Sequence, residues 1–134
     1  MPSFHDETIS AAAPEEVWKL LYDPARFPEW WAGVGTIELG AGDGREFTLY
    51  PDGYPDFPMP QLLERGPDEG RVTISCMVSD LRFDWRLAPA AGGTRITVDV
   101  EIPDAEAHRL ETQRELVGTS LRRLAEAAAS GWAT

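Results

Sequence analysis

The chain has a single cysteine, Cys76, a single lysine, Lys19, and two histidines, His5 and His108. One cysteine cannot close an intramolecular disulfide. With no His or Cys companions at ligand spacing, no metal site is expected either. Positive charge is scarce: 12 Lys and Arg stand against 23 Asp and Glu, a formal net charge of −11. Such a balance repels a phosphate backbone and an anionic leaflet at long range. The basic residues are scattered, and the densest pair, Arg122 and Arg123, is expected on a solvated helix face, so no nucleic-acid partner is expected.

Long apolar runs are missing too. No stretch approaches spanning length, and residues 1–10 lack a basic segment followed by an apolar one. Membrane insertion is not expected, and a reducing cytoplasm is the expected location. No Gly-x-Ser-x-Gly occurs, and neither histidine sits in a nucleophile motif. The run Gly40-Ala41-Gly42-Asp43-Gly44 lacks the Lys-Ser/Thr and helix start of a phosphate loop and reads as an antiparallel turn. No cofactor is expected.

What is present is apolar bulk: 43% hydrophobic residues, with five Trp, five Phe and three Tyr in 134 residues. That is too apolar for a disordered chain, and the length suits one domain, 1–134, with one core. Residues 3–10 read as a first strand. Pro14, Glu15 and Glu16 open a short helix over 14–22, since Pro is pre-set for a first turn and acids suit the positive end of the dipole. Asp23-Pro24 restarts the chain for a second short helix, 25–30.

From 36 to 102 the pattern turns to short β-like runs at 36–39, 45–50, 60–65, 71–78, 81–88 and 94–102, making seven strands with the first. The last two alternate most cleanly. Leu81, Phe83, Trp85 and Leu87 oppose Arg82, Asp84 and Arg86; Ile96, Val98, Val100 and Ile102 oppose Arg95, Thr97, Asp99 and Glu101. Period-two alternation means one dry and one wet sheet face, and Pro89-Ala90-Ala91-Gly92-Gly93 supplies a hairpin turn. A long helix over 105–129 follows, with a stripe of Leu110, Val117, Leu121, Leu124 and Ala128. The fold class read from these elements is α+β: seven strands, the last two antiparallel neighbours, with two short helices after the first strand and a long C-terminal helix.

That order, with Ala13-Pro14-Glu15-Glu16-Val17-Trp18, Asp23-Pro24-Ala25-Arg26-Phe27-Pro28-Glu29-Trp30-Trp31 and Gly93-Thr94-Arg95-Ile96-Thr97-Val98, resembles the START-like helix-grip (SRPBCC) superfamily over nearly the whole chain. It is most similar to the small bacterial polyketide cyclase/dehydrase-type members. The resemblance implies a helix-grip fold, in which a curved antiparallel seven-stranded sheet grips the long helix around an apolar cavity. It does not imply one reaction, because the superfamily spans cyclases, lipid and hormone binders and chaperone activators.

The candidate ligand-binding set follows. Phe83, Trp85, Val98 and Val100 belong to the concave sheet face, and Leu110, Val117, Ser120 and Leu121 to the covering helix; each of these is either packed core or cavity wall. Tyr50, Tyr54 and Phe57, with Asp56, sit in or beside a Pro-rich insert, 51–60, that is either a lid or a solvated loop. Glu64, Arg82, Asp84 and Arg86 carry acid or base chemistry, yet alternation sends the last three to the wet face. His108 reads as a helix-surface residue, and Cys76, sharing a face with Val72, Ile74 and Val78, as a small buried apolar one.

No catalytic residue is assigned. The leading expectation is binding of a hydrophobic small molecule, a polyketide, lipid or aromatic compound, with cyclase or dehydratase activity left open. The alternative is a protein-interaction domain whose acidic outer surface meets a partner by charge. Trp31 and Trp132, expected on the surface, are candidate contacts for a homodimer.

Overall fold

The computed structural model describes residues 2–40, 45–65 and 70–130. In them β1 (Ser3–Ser10) leads into α1 (Pro14–Leu21) and a 3-10 helix (Pro24–Glu29). Six strands follow: β2 (Val34–Leu39), β3 (Glu46–Pro51), β4 (Met59–Arg65), β5 (Arg71–Cys76), β6 (Arg82–Ala90) and β7 (Gly93–Glu101). A second 3-10 stretch (Asp104–Arg109) then precedes α2 (Leu110–Ser130). The seven strands form one sheet in the order β1-β7-β6-β5-β4-β3-β2, every neighbouring pair antiparallel. Consecutive hairpins therefore run from β2 to β7, and the first strand closes the far side by pairing with the last. The sheet curves around α2, which makes the α+β helix-grip architecture a structural fact.

Several boundaries differ from the sequence reading for identifiable reasons. β2 starts at Val34, two residues early, with a register irregularity between Val34 and Thr36. β5 stops at Cys76 instead of running to Val78, because residues 77–80 make the turn into β6; Asp80, at φ 60°, completes it. Val78 is consequently exposed and no longer shares the inner face with Cys76. The last hairpin is tighter than expected. Ala90 pairs with Gly93 around Ala91 and Gly92, with Gly92 at φ 80°. Gly93 has a steric reason to be glycine, since a Cβ there would collide with the Ser10 carbonyl oxygen.

The C-terminal helix is not continuous from Ala105: the chain leaves Pro103 in 3-10 turns kinked at Glu106 (φ −112°, ψ 16°) and becomes α-helical only at Leu110.

The dry faces meet in one core. Val72, Ile74, Phe83, Trp85, Ile96, Val98, Val100 and Ile102 project from the sheet toward Val117, Leu121, Leu124 and Ala128 of α2. Val17, Leu20 and Leu21 of the amphipathic α1 join them. Between these layers sits a knot of rings. Phe27, Trp30 and Trp31 arrive from the 3-10 helix and its end. Trp31 meets Phe83 and Trp85 edge-on at 5.2 and 5.3 Å between centroids, and Trp30 meets Trp85 at 5.2 Å. Trp31 is thus 6% exposed, which removes it from any surface a second copy could touch; Trp132 lies outside the described residues, as does most of the 40–44 turn.

Three polar groups buried in this layer donate to backbone carbonyls. Trp30 Nε1 donates to the Leu20 carbonyl at 2.9 Å, near the α1 C-terminus. Ser10 Oγ donates to Ala125 O, and Thr94 Oγ1 to Ala12 O, each at 2.8 Å.

Arg82, Asp84 and Arg86 do lie on the opposite, convex face, but Asp84 is not wet. Arg71 brackets it with two hydrogen bonds of 3.1 Å, Arg86 reaches it at 2.9 Å, and its side chain is only 12% exposed. Burial pushes its carboxyl up; the hydrogen bonds from Arg71 and Arg86 and their charges outweigh this and hold it below the ordinary carboxylate value.

Candidate ligand cavity

The ring knot fills the middle of the concave face, and the open space lies beside it, toward the β5–β6 turn and the N-terminal end of α2. There an inner chamber of about 160 Å³ is walled by Trp31, Val34, Leu49, Leu81, Phe83 and Leu116. Its few polar wall groups are Gln61, Gln113, Ser79 and Arg109, together with Cys76. An outer chamber of about 640 Å³ is lined by Tyr54, Phe57, Val78, Pro103, Asp80 and Glu106, among others. Tyr54, Phe57 and Val78 are each more than half exposed, so this outer space is an open vestibule.

Pro51, Met59, Ser79 and Arg109 line both chambers and form the neck between them. Three local features build that neck. The turn 77–80 carries Ser79, whose Oγ is buried without a hydrogen-bond partner among the described residues. The 3-10 stretch after Pro103 puts residues three apart on one side, and Arg109 Nη1 donates to Glu106 Oε1 at 3.1 Å. Pro51 and Met59, the last residue of β3 and the first of β4, bring the base of the Pro-rich loop over the opening. That loop is shorter than its prolines suggest, 52–58, because Met59 and Pro60 already pair with Leu49 and Thr48.

Of the residues singled out from sequence, Phe83 lines the inner chamber and Tyr54 and Phe57 the outer one. Trp85, Val98, Val100, Val117 and Leu121 are packed into the core, all at most 2% exposed. Leu110 packs half-buried against that core. Tyr50 alternates with the chamber residue Leu49, and the register places it on the convex face beside Thr36. Ser120 serves as a clasp: its Oγ accepts from Ala32 N at 2.9 Å and donates to Leu116 O at 2.6 Å, tying the chamber wall to α2.

The lining residues not foreseen include Trp31, Gln61, Ser79, Arg109, Gln113 and Leu116. Two of them were signalled. Gln113 stands four residues before Val117 on the apolar stripe, and Gln61 stands in register with Cys76 and Phe47 on the dry face, so each is a polar residue at an inward position.

The groups with displaced titration lie elsewhere. His5 is raised, chiefly by its 2.8 Å hydrogen bond to Asp99; Arg26 is raised by Glu29 and Arg86 by Asp84. With Asp84 these complete the groups showing a clear shift among the described residues, and none borders either chamber. The convex face interleaves charges, with Arg71, Arg82, Arg86 and Arg95 among Glu7, Asp84, Asp99 and Glu101. No helix among the described residues is long and apolar enough to cross a membrane.

Solved structures with this architecture include the Nitrosomonas europaea protein NE0264, 19% identical, with 98% of this chain and 97% of that one aligned at a TM-score of 0.77. The AHSA1-like protein from Aeromonas hydrophila is 15% identical, covers 96% and 95% and scores 0.69. The di-domain ARO/CYC StfQ from the steffimycin biosynthetic pathway is 15% identical with a TM-score of 0.75; 98% of this chain covers 51% of that one. At such identities the likeness is one of fold. No curated protein matches the sequence. Residues 1–129, from β1 almost to the end of α2, match the family described as polyketide cyclase / dehydrase and lipid transport, and the chain belongs to that family.

Proposed function

We propose that the protein binds a hydrophobic small molecule, with the molecule's end in the inner chamber and its remainder in the vestibule. The observation that carries this reading is the pair of adjoining chambers, apolar in most of their lining, with Ser79 and Arg109 among the residues they share. Ligand pockets have this composition: mostly hydrophobic walls with a few placed polar groups. At about 160 Å³ the inner chamber is close in volume to the ~150 Å³ engineered cavity that binds benzene.

The displaced groups His5, Asp84 and Arg86 line a separate, charged hollow of about 500 Å³ on the convex side. Cyclase-like chemistry in the two chambers would rest on folding a reactive chain into one conformer, where orientation supplies the acceleration. Docking of a basic partner on an acidic outer face is disfavoured by the interleaved arginines of the convex side.

Native mass spectrometry of freshly purified protein, followed by extraction and identification of co-purified compounds, tests the reading. A retained apolar compound of small mass supports it. A bare protein mass that also stays bare after incubation with a library of apolar compounds contradicts it.

A further inference from the structure

The neck holds hydrogen-bond donors without matching acceptors. The Ser79 hydroxyl is buried, lines both chambers and has no partner among the described residues. Arg109 lines both as well; its side chain is 30% exposed, and its bond to Glu106 engages one of the five guanidinium N–H donors. The buried Ser79 hydroxyl is stable only when a polar partner reaches it, and an oxygen is the partner it can share with Arg109, which only donates.

Charge decides which oxygen. Among the described residues, Arg109 is the one cation lining either chamber, and Glu106 and Asp80 are the anions there. Glu106 already balances Arg109 at 3.1 Å, in a chain of net charge −11. A carboxylate at the neck would set a second negative charge beside Glu106 with no further cation to meet it, and like charges at such range disfavour ionisation of both. A carbonyl oxygen accepts the same two donors without adding charge. The inner chamber sets the size, since a space of about 160 Å³ admits one six-membered ring by comparison with the ~150 Å³ cavity that takes benzene.

We propose that the neck formed by Ser79 and Arg109 recognises a neutral carbonyl oxygen, and that the buried end of the ligand is a one-ring ketone. This deepens the small-molecule reading and rests on it. Arg109 and Ser79 set specificity for the oxygen, and the chamber walls supply affinity for the ring.

The test is a proton–nitrogen NMR titration with three one-ring probes of nearly equal size: acetophenone, ethylbenzene and benzoate. Acetophenone is expected to bind roughly tenfold more tightly than either other probe, the scale of a hydrogen bond to a charged group, with shifts at the Trp31 indole and the amides of residues 32–34. In Arg109→Met the advantage over ethylbenzene falls to within about twofold while ethylbenzene itself binds as before; in Ser79→Ala it falls partway. Glu106→Gln is expected to raise the affinity for benzoate, because the competing anion is gone.

Equal binding of acetophenone and ethylbenzene by the natural chain, or an acetophenone advantage that survives Arg109→Met, overturns the carbonyl proposal. In both of those outcomes saturable ethylbenzene binding leaves the small-molecule reading intact. If none of the three probes binds, that reading fails and the proposal falls with it.

Discussion

The hydroxyl of Ser120 receives the backbone N–H of Ala32 at 2.9 Å and passes its own proton to the Leu116 carbonyl at 2.6 Å, one turn back along α2. Ala32 and Leu116 both wall the inner chamber, so this one fully buried oxygen fixes the distance between helix and wall. Removing it leaves the Ala32 N–H buried and unpaired. Ser120→Ala is expected to lower unfolding stability by about 1–3 kcal/mol, measured by urea denaturation, and to broaden the amide signals of residues 31–33.

The two buried tryptophans facing each other should respond differently to loss of their indole N–H. Trp30 Nε1 satisfies the Leu20 carbonyl, whereas Trp85 Nε1 is buried with no partner among the described residues. Trp30→Phe strips both ring area and an acceptor's partner, and should cost about 3 kcal/mol. In Trp85→Phe the loss of area is offset by release of an unsatisfied donor, and about 1 kcal/mol is expected. Denaturant melts of the two variants check the order, which is the substance of the expectation.

Asp84 makes stability depend on acid. Its carboxyl titrates lower in the folded chain than in the unfolded one, where the value is about 4. Its contribution is therefore fully present above that unfolded value and is lost as pH falls through the lower folded one. The natural chain should lose stability more steeply below about pH 4 than Asp84→Asn, which has no proton to take up there. Unfolding free energies at a series of acidic pH values supply the comparison; parallel curves would contradict it.

The vestibule is expected to matter to long ligands and not to the fold. Tyr54 and Phe57 are 64% and 55% exposed, so the double change to Ser should leave stability within about 0.5 kcal/mol. Affinity for phenylalkanes should rise with tail length in the natural chain and level off in the variant, as read by competition binding.

The legible parts of this molecule were those with a local period. Residues 81–102 alternate because one face is dry, and Trp85 and Val98 do pair across β6 and β7. The superfamily's element order was equally readable. The cavity was not, for a physical reason: its position depends on which part of the concave face the rings leave unfilled. Trp31 reaches Phe83 across 52 residues of chain, and no periodicity announces that contact. With the centre occupied, Val98, Val100, Val117 and Leu121 pack solidly and the space moves to the N-terminal end of α2, where Gln113 replaces an apolar residue on the stripe. Polar residues at inward positions, Gln61 and Gln113, were the sequence signal nearest to the site. Arg109 had none, because its place follows from a 3-10 kink after Pro103 that helical periodicity does not reveal.

The central claim is that the space beside Trp31 and Phe83 is a genuine apolar chamber. A crystal structure determined under xenon pressure tests it most directly, since xenon enters dry apolar cavities of this size. The account requires a xenon atom between Trp31, Leu81, Phe83 and Leu116; a crystal in which those side chains close on one another and no xenon density lies among them would contradict it.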